Sequence, residues 1–124
     1  MIKALIASAL LALPGTAMAQ AAPNPVLGKS QFSQCSVCHS VTKDGPDKIG
    51  PNLWGVAGAK AGTKRPRYAY SPQLKASRLT WDDATLHRWI AAPGSVVKGT
   101  KMEFIGIGRK ATRDNIIAYL KMQR

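Results

Sequence analysis

The chain has 124 residues and a formal net charge of +12 at pH 7, from 18 Lys and Arg against 6 Asp and Glu. This length fits a single domain of ordinary size. The strong positive charge indicates an acidic protein partner, or an anionic membrane surface that the protein contacts transiently. We expect no binding to nucleic acid, because the basic residues are scattered and form no recognisable nucleic-acid-binding motif.

The first residues have the pattern of a secretory signal peptide. Lys3 supplies a positive charge, residues 4–13 form an apolar run, and a small-x-small cleavage pattern ends at Ala19. The apolar run is too short to span a bilayer as a helix, although an uncleaved anchor stays an alternative. We therefore divide the chain into a signal peptide, an N-terminal linker and one periplasmic domain, at residues 1–19, 20–26 and 27–124.

Apolar periodicity predicts three principal helices. The first covers residues 27–38, and it is followed by an irregular stretch rich in Gly, Pro and Lys at residues 42–66. The second begins near Thr80, which would cap it, and stops at Pro93. The third covers residues 112–122. Because no segment alternates polar and apolar residues in the manner of a strand, we predict an all-α fold with long loops.

Both cysteines of the chain lie in one short run, Cys35-Ser36-Val37-Cys38-His39. The C-x-x-C-H spacing is the attachment signature of c-type haem. On a helical turn, residues three apart share a face, so both thiols could form thioethers with vinyl groups on one porphyrin edge. His39 would then bind the iron. The motif therefore predicts one covalently attached haem c per chain.

Three other uses of the cysteine pair stay open. A dithiol redox motif normally opens a helix in a βαβ pattern, and the sequence shows no such pattern. A zinc site needs four suitably spaced ligands, and only the two histidines are left to complete one. A plain disulfide is compatible with an exported protein.

The opposite axial position of the iron has four candidate ligands, namely Met102, Met122, His87 and a lysine. The amphipathic pattern of the last helix accounts for Met122, and His87 is expected on the solvated outer face of the second helix. Met102 lies between two helices in a loop that contains Gly99, and such a loop can carry a side chain to the far face of a flat cofactor. A thioether is a soft ligand that favours reduced iron. We therefore predict Met102 as the second ligand.

Taken together, these residues resemble class I cytochrome c, the small soluble electron carrier. The similarity covers nearly all of the exported domain. Five further stretches match in spacing, at residues 50–58, 68–71, 80–81, 99–102 and 117–121. The resemblance implies a fold of three principal helices and long loops around the haem, in which the first and last helices cross near Gly28 and Tyr119.

The resemblance also implies roles for residues around the cofactor. The carbonyl of Pro51 would accept a hydrogen bond from the far ring nitrogen of His39. Trp89 stands where relatives have a tyrosine that approaches the methionine sulfur, and an indole N–H can only donate to Met102. Buried propionates need polar partners, and four side chains would supply them, namely Tyr70, Ser71, Trp81 and Thr100.

The chain departs from the family pattern at several positions. Ala59 stands where many relatives place an arginine near a propionate, Leu74 replaces a common asparagine, and Lys98 replaces a usual proline. The ring of lysines expected around the docking face is also altered. Non-lysine residues occupy three of its positions (Gln34, Gly94 and Ser95), while five lysines remain (Lys29, Lys43, Lys48, Lys98 and Lys101).

The function implied by the resemblance is one-electron transport in the periplasm without enzymatic activity. The partners would be acidic docking faces of a quinol-oxidising cytochrome complex and of a terminal oxidase or photosynthetic reaction centre. We expect a monomer. The alternative is a catalytic or gas-sensing haem protein, peroxidase-like, whose sixth ligand is displaceable. A dedicated acceptor for one periplasmic dehydrogenase is a third reading, which is still electron transfer.

Overall fold

The structure is a computed structural model that describes residues 9–124. The predicted signal peptide therefore lies partly outside the described residues, at positions 1–8. Residues 9–24 are exposed and form neither helix nor strand. No helix within residues 9–124 has both the length and the apolar character needed to cross a membrane.

Six helices follow one another within residues 9–124. They are α1 (Pro25–Gln31), α2 (Ser33–Ser36), α3 (Pro72–Ala76), α4 (Asp83–Ala91), α5 (Pro93–Val96) and α6 (Lys110–Met122). Within the described residues no strand forms, and the one β-type pairing is an isolated bridge between Lys60 and Thr80. The predicted all-α fold with long loops is confirmed.

The first predicted helix is two helices, and it begins earlier than expected. The Asn24 side chain caps α1 by accepting a hydrogen bond from the backbone N–H of Val26 at 2.9 Å. Pro25 then occupies the first helical position, where its missing N–H costs nothing. Residues 25 and 26, which we assigned to the linker, therefore lie in the helix. A break at Phe32 separates α1 from α2.

The predicted cap of the second helix is wrong. Asp82 caps α4, because its Oδ1 accepts a hydrogen bond from the backbone N–H of Thr85 at 2.8 Å. Thr80 instead pairs with Lys60 in the isolated bridge and lies outside the helix. Thr and Asp are both good N-cap residues, so the sequence allowed either Thr80 or Asp82. Asp82 is the cap because Thr80 lies in extended chain that pairs with Lys60.

Two short helices, α3 and α5, were not predicted. Each begins with a proline, and each is only four or five residues long, which is too short to show a helical period. Ser71 caps α3 by accepting a hydrogen bond from the backbone N–H of Leu74 at 3.1 Å. The last helix, α6, begins at Lys110 and is therefore two residues longer than predicted.

The helices α1 and α6 cross at close range. Gly28 is buried in the crossing, and a Cβ there would overlap the carbonyl oxygen of Asn115 and lie 2.9 Å from the Cβ of Tyr119. Asn115 also joins the two helices through its side chain, which accepts from the N–H of Asn24 at 2.7 Å and donates to Gln31 at 3.2 Å. The predicted crossing near Gly28 and Tyr119 is confirmed.

The core lies between α4, α6 and the break after α1. Its apolar side chains are Phe32, Val41, Ala61, Trp81, Leu86, Trp89, Ile90, Val97, Ile107, Ile116, Ile117 and Leu120. The loop after Met102 returns to α4 where the N–H of Ile107 donates to the carbonyl of Ile90 at 2.9 Å. Gly106 makes this approach at a φ of 96°, and a side chain there would overlap the carbonyl of Ala91.

The loop at residues 42–66 is held by buried polar contacts rather than by secondary structure. The buried Asn52 amide donates to the carbonyl of Thr42 at 2.7 Å. Asp47 Oδ1 accepts from the N–H of Asn52 and from Nε of Arg65, both at 2.8 Å. Burial opposes ionisation of Asp47, but the hydrogen bonds outweigh it and hold the pKa of this carboxyl below its ordinary value.

Replacement of Gly28 by alanine is expected to destabilise the fold. The added methyl group has to push α1 away from α6, and overpacking of this kind costs about 1–3 kcal/mol in the free energy of unfolding. Urea unfolding of the holoprotein measures it. The control is Gly94→Ala, because a Cβ at Gly94 meets nothing within 4 Å. Equal stability of the two variants would contradict the close crossing.

The Asp47 contacts predict a pH-dependent loss of stability. Asp47→Asn removes the charge and should lower the free energy of unfolding by about 1 kcal/mol at neutral pH, since both partners are partly solvated. The folded-state pKa lies below the unfolded value of about 4, so the stabilisation is present above that value and is lost as the pH falls through the folded pKa.

Urea unfolding over a range of pH tests this prediction. The curves of the wild type and Asp47→Asn should converge in acid, whereas the exposed control Asp44→Asn should follow the wild type throughout. A difference between wild type and Asp47→Asn that stays constant with pH would show that the lost charge is not its cause.

Candidate functional site

A cavity of about 360 Å³ lies between α4, α6 and the loops, and its size falls in the range of cofactor sites. Parts of the chain from Phe32 to Leu120 contribute to its wall. All ten residues that the sequence predicted for the cofactor lie in its lining, namely Cys35, Cys38, His39, Pro51, Tyr70, Ser71, Trp81, Trp89, Thr100 and Met102. The fold therefore brings the predicted site residues together around one space.

The two cysteines reach the cavity from one turn of chain at the end of α2. The backbone N–H groups of Cys38 and His39 both donate to the carbonyl of Cys35, at 3.1 and 2.9 Å, which continues the helical turn. Both thiols are free and line the cavity, whereas the intervening Val37 is 72% exposed. The spacing thus brings both cysteines into the cavity lining, while Val37 between them faces solvent.

The chemistry of the Cys35 thiol disfavours a redox use of this pair. Burial, together with the charge of the neighbouring Cys38, raises the pKa of Cys35 to about 11, whereas a catalytic dithiol needs a thiolate at neutral pH. Within the described residues, no group of three or more His, Cys, Asp or Glu side chains is arranged to hold a metal ion.

His39 is buried and held in one orientation. Its Nδ1 lies 2.7 Å from the carbonyl oxygen of Pro51, so this nitrogen carries the hydrogen and Nε2 is left with a free lone pair. Burial lowers the pKa of His39, the Pro51 hydrogen bond opposes this, and Lys48 lowers it further. Gly50 packs on the ring so closely that a Cβ there would lie 2.7 Å from Nδ1. The result is a neutral, fixed imidazole.

Met102 lines the same cavity from the loop after α5. The indole N–H of Trp89, on α4, donates to Met102 Sδ at 3.2 Å. The backbone N–H of Met102 donates to Thr100 Oγ1 at 3.3 Å, and Gly99 makes the preceding turn at a φ of 79°. The neighbouring Lys101 ties the loop to the carbonyl of Ala69 at 2.6 Å. The thioether is therefore restrained by its own loop and by α4.

Two hydroxyl groups in the lining can act as hydrogen-bond donors. The oxygen of Tyr70 accepts from the N–H of Arg65 at 3.2 Å, and Ser71 Oγ accepts from Leu74 at 3.1 Å. Because a hydroxyl that accepts one bond still has its hydrogen, both groups can donate to an anion. Burial raises the pKa of the Tyr70 phenol, although the Arg65 hydrogen bond opposes the shift, so it stays protonated at neutral pH.

The other two named ligand candidates lie outside the cavity. His87 bridges α4 and α6, with Nε2 2.8 Å from Asp114 Oδ1 and Nδ1 3.4 Å from Nε of Arg113. Our expectation of a solvated His87 on an outer face is therefore wrong, because α6 packs beside it. Met122 is 64% exposed at the end of α6.

Several lining residues were not predicted for the site. Apolar side chains of the helices complete its wall, and their helical periods could have indicated them. Lys60 and Lys64 also line the cavity, and nothing in their spacing indicates this, because the loop geometry decides it. The unpredicted lining residues that matter most are Leu53, Lys60, Lys64, Leu74, Leu86, Ile90, Phe104, Ile116 and Leu120.

Comparison with known proteins identifies close relatives. The chain is 44% identical over 112 residues to cytochrome c2 of Rhodomicrobium vannielii, covering 90% of this chain and 89% of that protein. It is 46% identical over 99 residues to cytochrome c2 of Rhodoblastus acidophilus, covering 80% of this chain and 92% of that one. No family profile matches the chain.

A solved structure shows the same fold. Cytochrome cH from Methylobacterium extorquens matches with a TM-score of 0.75 and 46% sequence identity, over 80% of this chain and 98% of that chain. The family of this chain follows from sequence identity at this level over most of both proteins, together with the matching fold. The chain belongs to the class I cytochrome c family, the c-type haem proteins of electron transport.

Proposed function

We propose that the protein is a periplasmic one-electron carrier. Its haem c is attached covalently through Cys35 and Cys38, and its axial ligands are His39 and Met102. The observation that carries this proposal is the arrangement of the cavity, where a fixed neutral imidazole, a restrained thioether and two thiols on one turn line the same space.

The residues present fit a haem. The apolar wall suits a porphyrin, and the hydroxyl donors of Tyr70 and Ser71 suit its propionates. Gly50 leaves room for the His39 ring, because the side chain of any larger residue at this position would displace the ring. Imidazole and thioether together are a ligand pair that raises the reduction potential of haem iron. When bound, the haem supplies a reversible one-electron change at its iron.

The protein residues keep this site ready for electron transfer. Pro51 orients the His39 ring, and Trp89 and Thr100 hold Met102. Both proposed ligands would therefore move little when the iron changes its redox state. The wall of the cavity is largely apolar, which disfavours water beside the ligands. With His39 and Met102 both bound to the iron, no coordination position would be left for a substrate, and the restraint on Met102 therefore favours a carrier over the catalytic or gas-sensing alternative.

The surface charge supports docking to acidic faces. Of the five predicted docking lysines, Lys48 and Lys101 also bond to backbone carbonyls, of Ser36 at 2.8 Å and of Ala69 at 2.6 Å. Their cationic ends are thus held in place near the cavity. We propose a quinol-oxidising complex as the electron donor and a terminal oxidase or a reaction centre as the acceptor, reached in the periplasm after export by residues 1–19.

Replacement of Met102 by alanine tests the ligand assignment. The reduced wild type should bind carbon monoxide only slowly, whereas reduced Met102→Ala should take up one equivalent rapidly and have a lower reduction potential. Optical titration and potentiometry measure these effects. Met122→Ala, on the exposed end of α6, is the control and should behave as the wild type does.

Two results would contradict this assignment. Rapid stoichiometric uptake of carbon monoxide by the wild type would support a catalytic or gas-binding protein. An unchanged potential in Met102→Ala would remove Met102 from the ligand pair.

Replacement of Trp89 by phenylalanine is expected to lower the reduction potential. The indole N–H withdraws electron density from the sulfur, so its loss makes the thioether a better donor and favours oxidised iron. Trp54→Phe is the matched control, since Trp54 is partly exposed and does not line the cavity. Trp89→Tyr should recover part of the shift through its hydroxyl. Equal reduction potentials for Trp89→Phe and Trp89→Tyr would argue against the hydrogen bond, because these two variants have rings of the same size.

A further inference from the structure

His87 joins α4 to α6 outside the cavity, and the proposed site makes no use of it. We propose that His87 is a positioning residue for the loop that carries Met102, and that protonation of its ring loosens this loop. The inference rests on the proposed function, because the loosening matters only where Met102 is an iron ligand. It concerns how firmly the loop is held rather than which residues bind the iron.

The two ring nitrogens of His87 have different partners on α6. Nε2 lies 2.8 Å from Asp114 Oδ1, and Nε of Arg113 donates to Nδ1 at 3.4 Å. A carboxylate can only accept a hydrogen bond, and a guanidinium can only donate one. In the neutral ring, Nε2 therefore carries the hydrogen and Nδ1 has the free lone pair.

The charged side chains around this ring come from α4 and α6. Asp83 of α4 pairs with Lys121 of α6 at 3.0 Å. The N-terminal segment reaches the same place with Pro23, which has no charge. The full set of charged neighbours is Asp83 and Arg88 on α4 and Lys110, Arg113, Asp114 and Lys121 on α6.

Asp114 stays ionised while histidine titrates. Hydrogen bonds from Lys110, at 2.9 Å to both carboxylate oxygens, hold the pKa of Asp114 below its ordinary value, although burial opposes them. The guanidinium of Arg113 keeps its charge at all these pH values. Of the side chains in this cluster, only an imidazole changes its charge between about pH 5 and 8.

Protonation of the ring preserves one contact and opposes the other. The added hydrogen is on Nδ1, where it meets the N–H of Arg113, so that donor faces donor and cation faces cation. The contact between Nε2 and Asp114 becomes a charge-assisted hydrogen bond, which keeps the ring in place. Arg113 is therefore the partner that has to move.

Arg113 also holds the end of the loop that carries Met102. Its Nη1 donates to the carbonyls of Ile107 and Gly108, at 2.7 and 2.6 Å, just before α6 begins. When Arg113 moves away from His87, its bonds to these two carbonyls weaken.

The same stretch of loop is tied to α4 beside Met102. The N–H of Ile107 donates to the carbonyl of Ile90 at 2.9 Å, and the preceding residue, Trp89, donates to Met102 Sδ at 3.2 Å. The residues between Met102 and Ile107 are thus held by α4 at both of their ends. A weaker hold by Arg113 on Ile107 therefore weakens the restraint on Met102.

The test measures how fast cyanide displaces the methionine in the oxidised holoprotein, for the wild type and for His87→Gln. Glutamine can bond to both partners but takes up no proton between about pH 5 and 8. Because the protonation of cyanide is the same for both proteins, the ratio of wild-type to variant rate isolates the protein. This ratio should be constant above neutral pH and rise about fivefold in acid, which corresponds to one lost hydrogen bond.

Two further measurements support the assignment. Asp83→Asn is the matched control, since it removes another ion pair between the same two helices and leaves His87, Arg113 and Asp114 unchanged. Its cyanide rate should rise in acid as the wild-type rate does. An NMR titration of the His87 ring should have the same midpoint as the rise in the ratio.

A ratio that stays constant with pH, or a rise whose midpoint differs from that of the His87 ring, overturns this inference alone. Urea unfolding of both proteins at each pH gives the global stability. Cyanide rates that follow this stability would show that His87 supports the whole fold, which also overturns the inference. A wild type without attached haem, or a Met102→Ala variant that binds cyanide no faster than the wild type, overturns the proposed function instead.

Discussion

The close crossing of α1 and α6 is the constraint on which the rest of the structure depends. Because Gly28 has no side chain, the two helices approach until Tyr119 and Asn115 touch α1. The chain leaves that crossing into the turn that bears both cysteines, while α6 continues as part of the cavity wall with Ile116 and Leu120. The position of the thiols relative to the apolar wall is therefore set by one glycine.

The two sides of the cavity are held in different ways. His39 is fixed by residues close in sequence, since Gly50 packs on its ring and Pro51 accepts its Nδ1 hydrogen bond. Met102 is fixed by α4, through a hydrogen bond from Trp89. A loosening of α4 would therefore disturb the thioether before the imidazole. The gas-binding alternative would need the Met102 side of the cavity to open.

Local spacing predicted much of this site, and tertiary packing determined the rest. The C-x-x-C-H run predicted two thiols on one side of a turn because neighbouring residues alone fix that geometry. The prediction that Thr80 caps the second helix is wrong because Thr80 pairs with the distant Lys60. The prediction that His87 is solvated is wrong because His87 contacts Asp114 on α6. The places of Lys60 and Lys64 in the cavity lining could not be predicted, since a loop without a helical or strand period gives no indication of which residues lie beside a cavity.

Trp89 is the departure from the family pattern that acts most directly on a proposed iron ligand. Trp89 can donate to the thioether but cannot accept, so it only withdraws electron density from the sulfur. In the proposed site this hydrogen bond would favour reduced iron. Trp89 in place of a tyrosine and Ala59 in place of an arginine are therefore not equivalent changes, because the first would raise the potential whereas the second would remove a positive charge near a propionate.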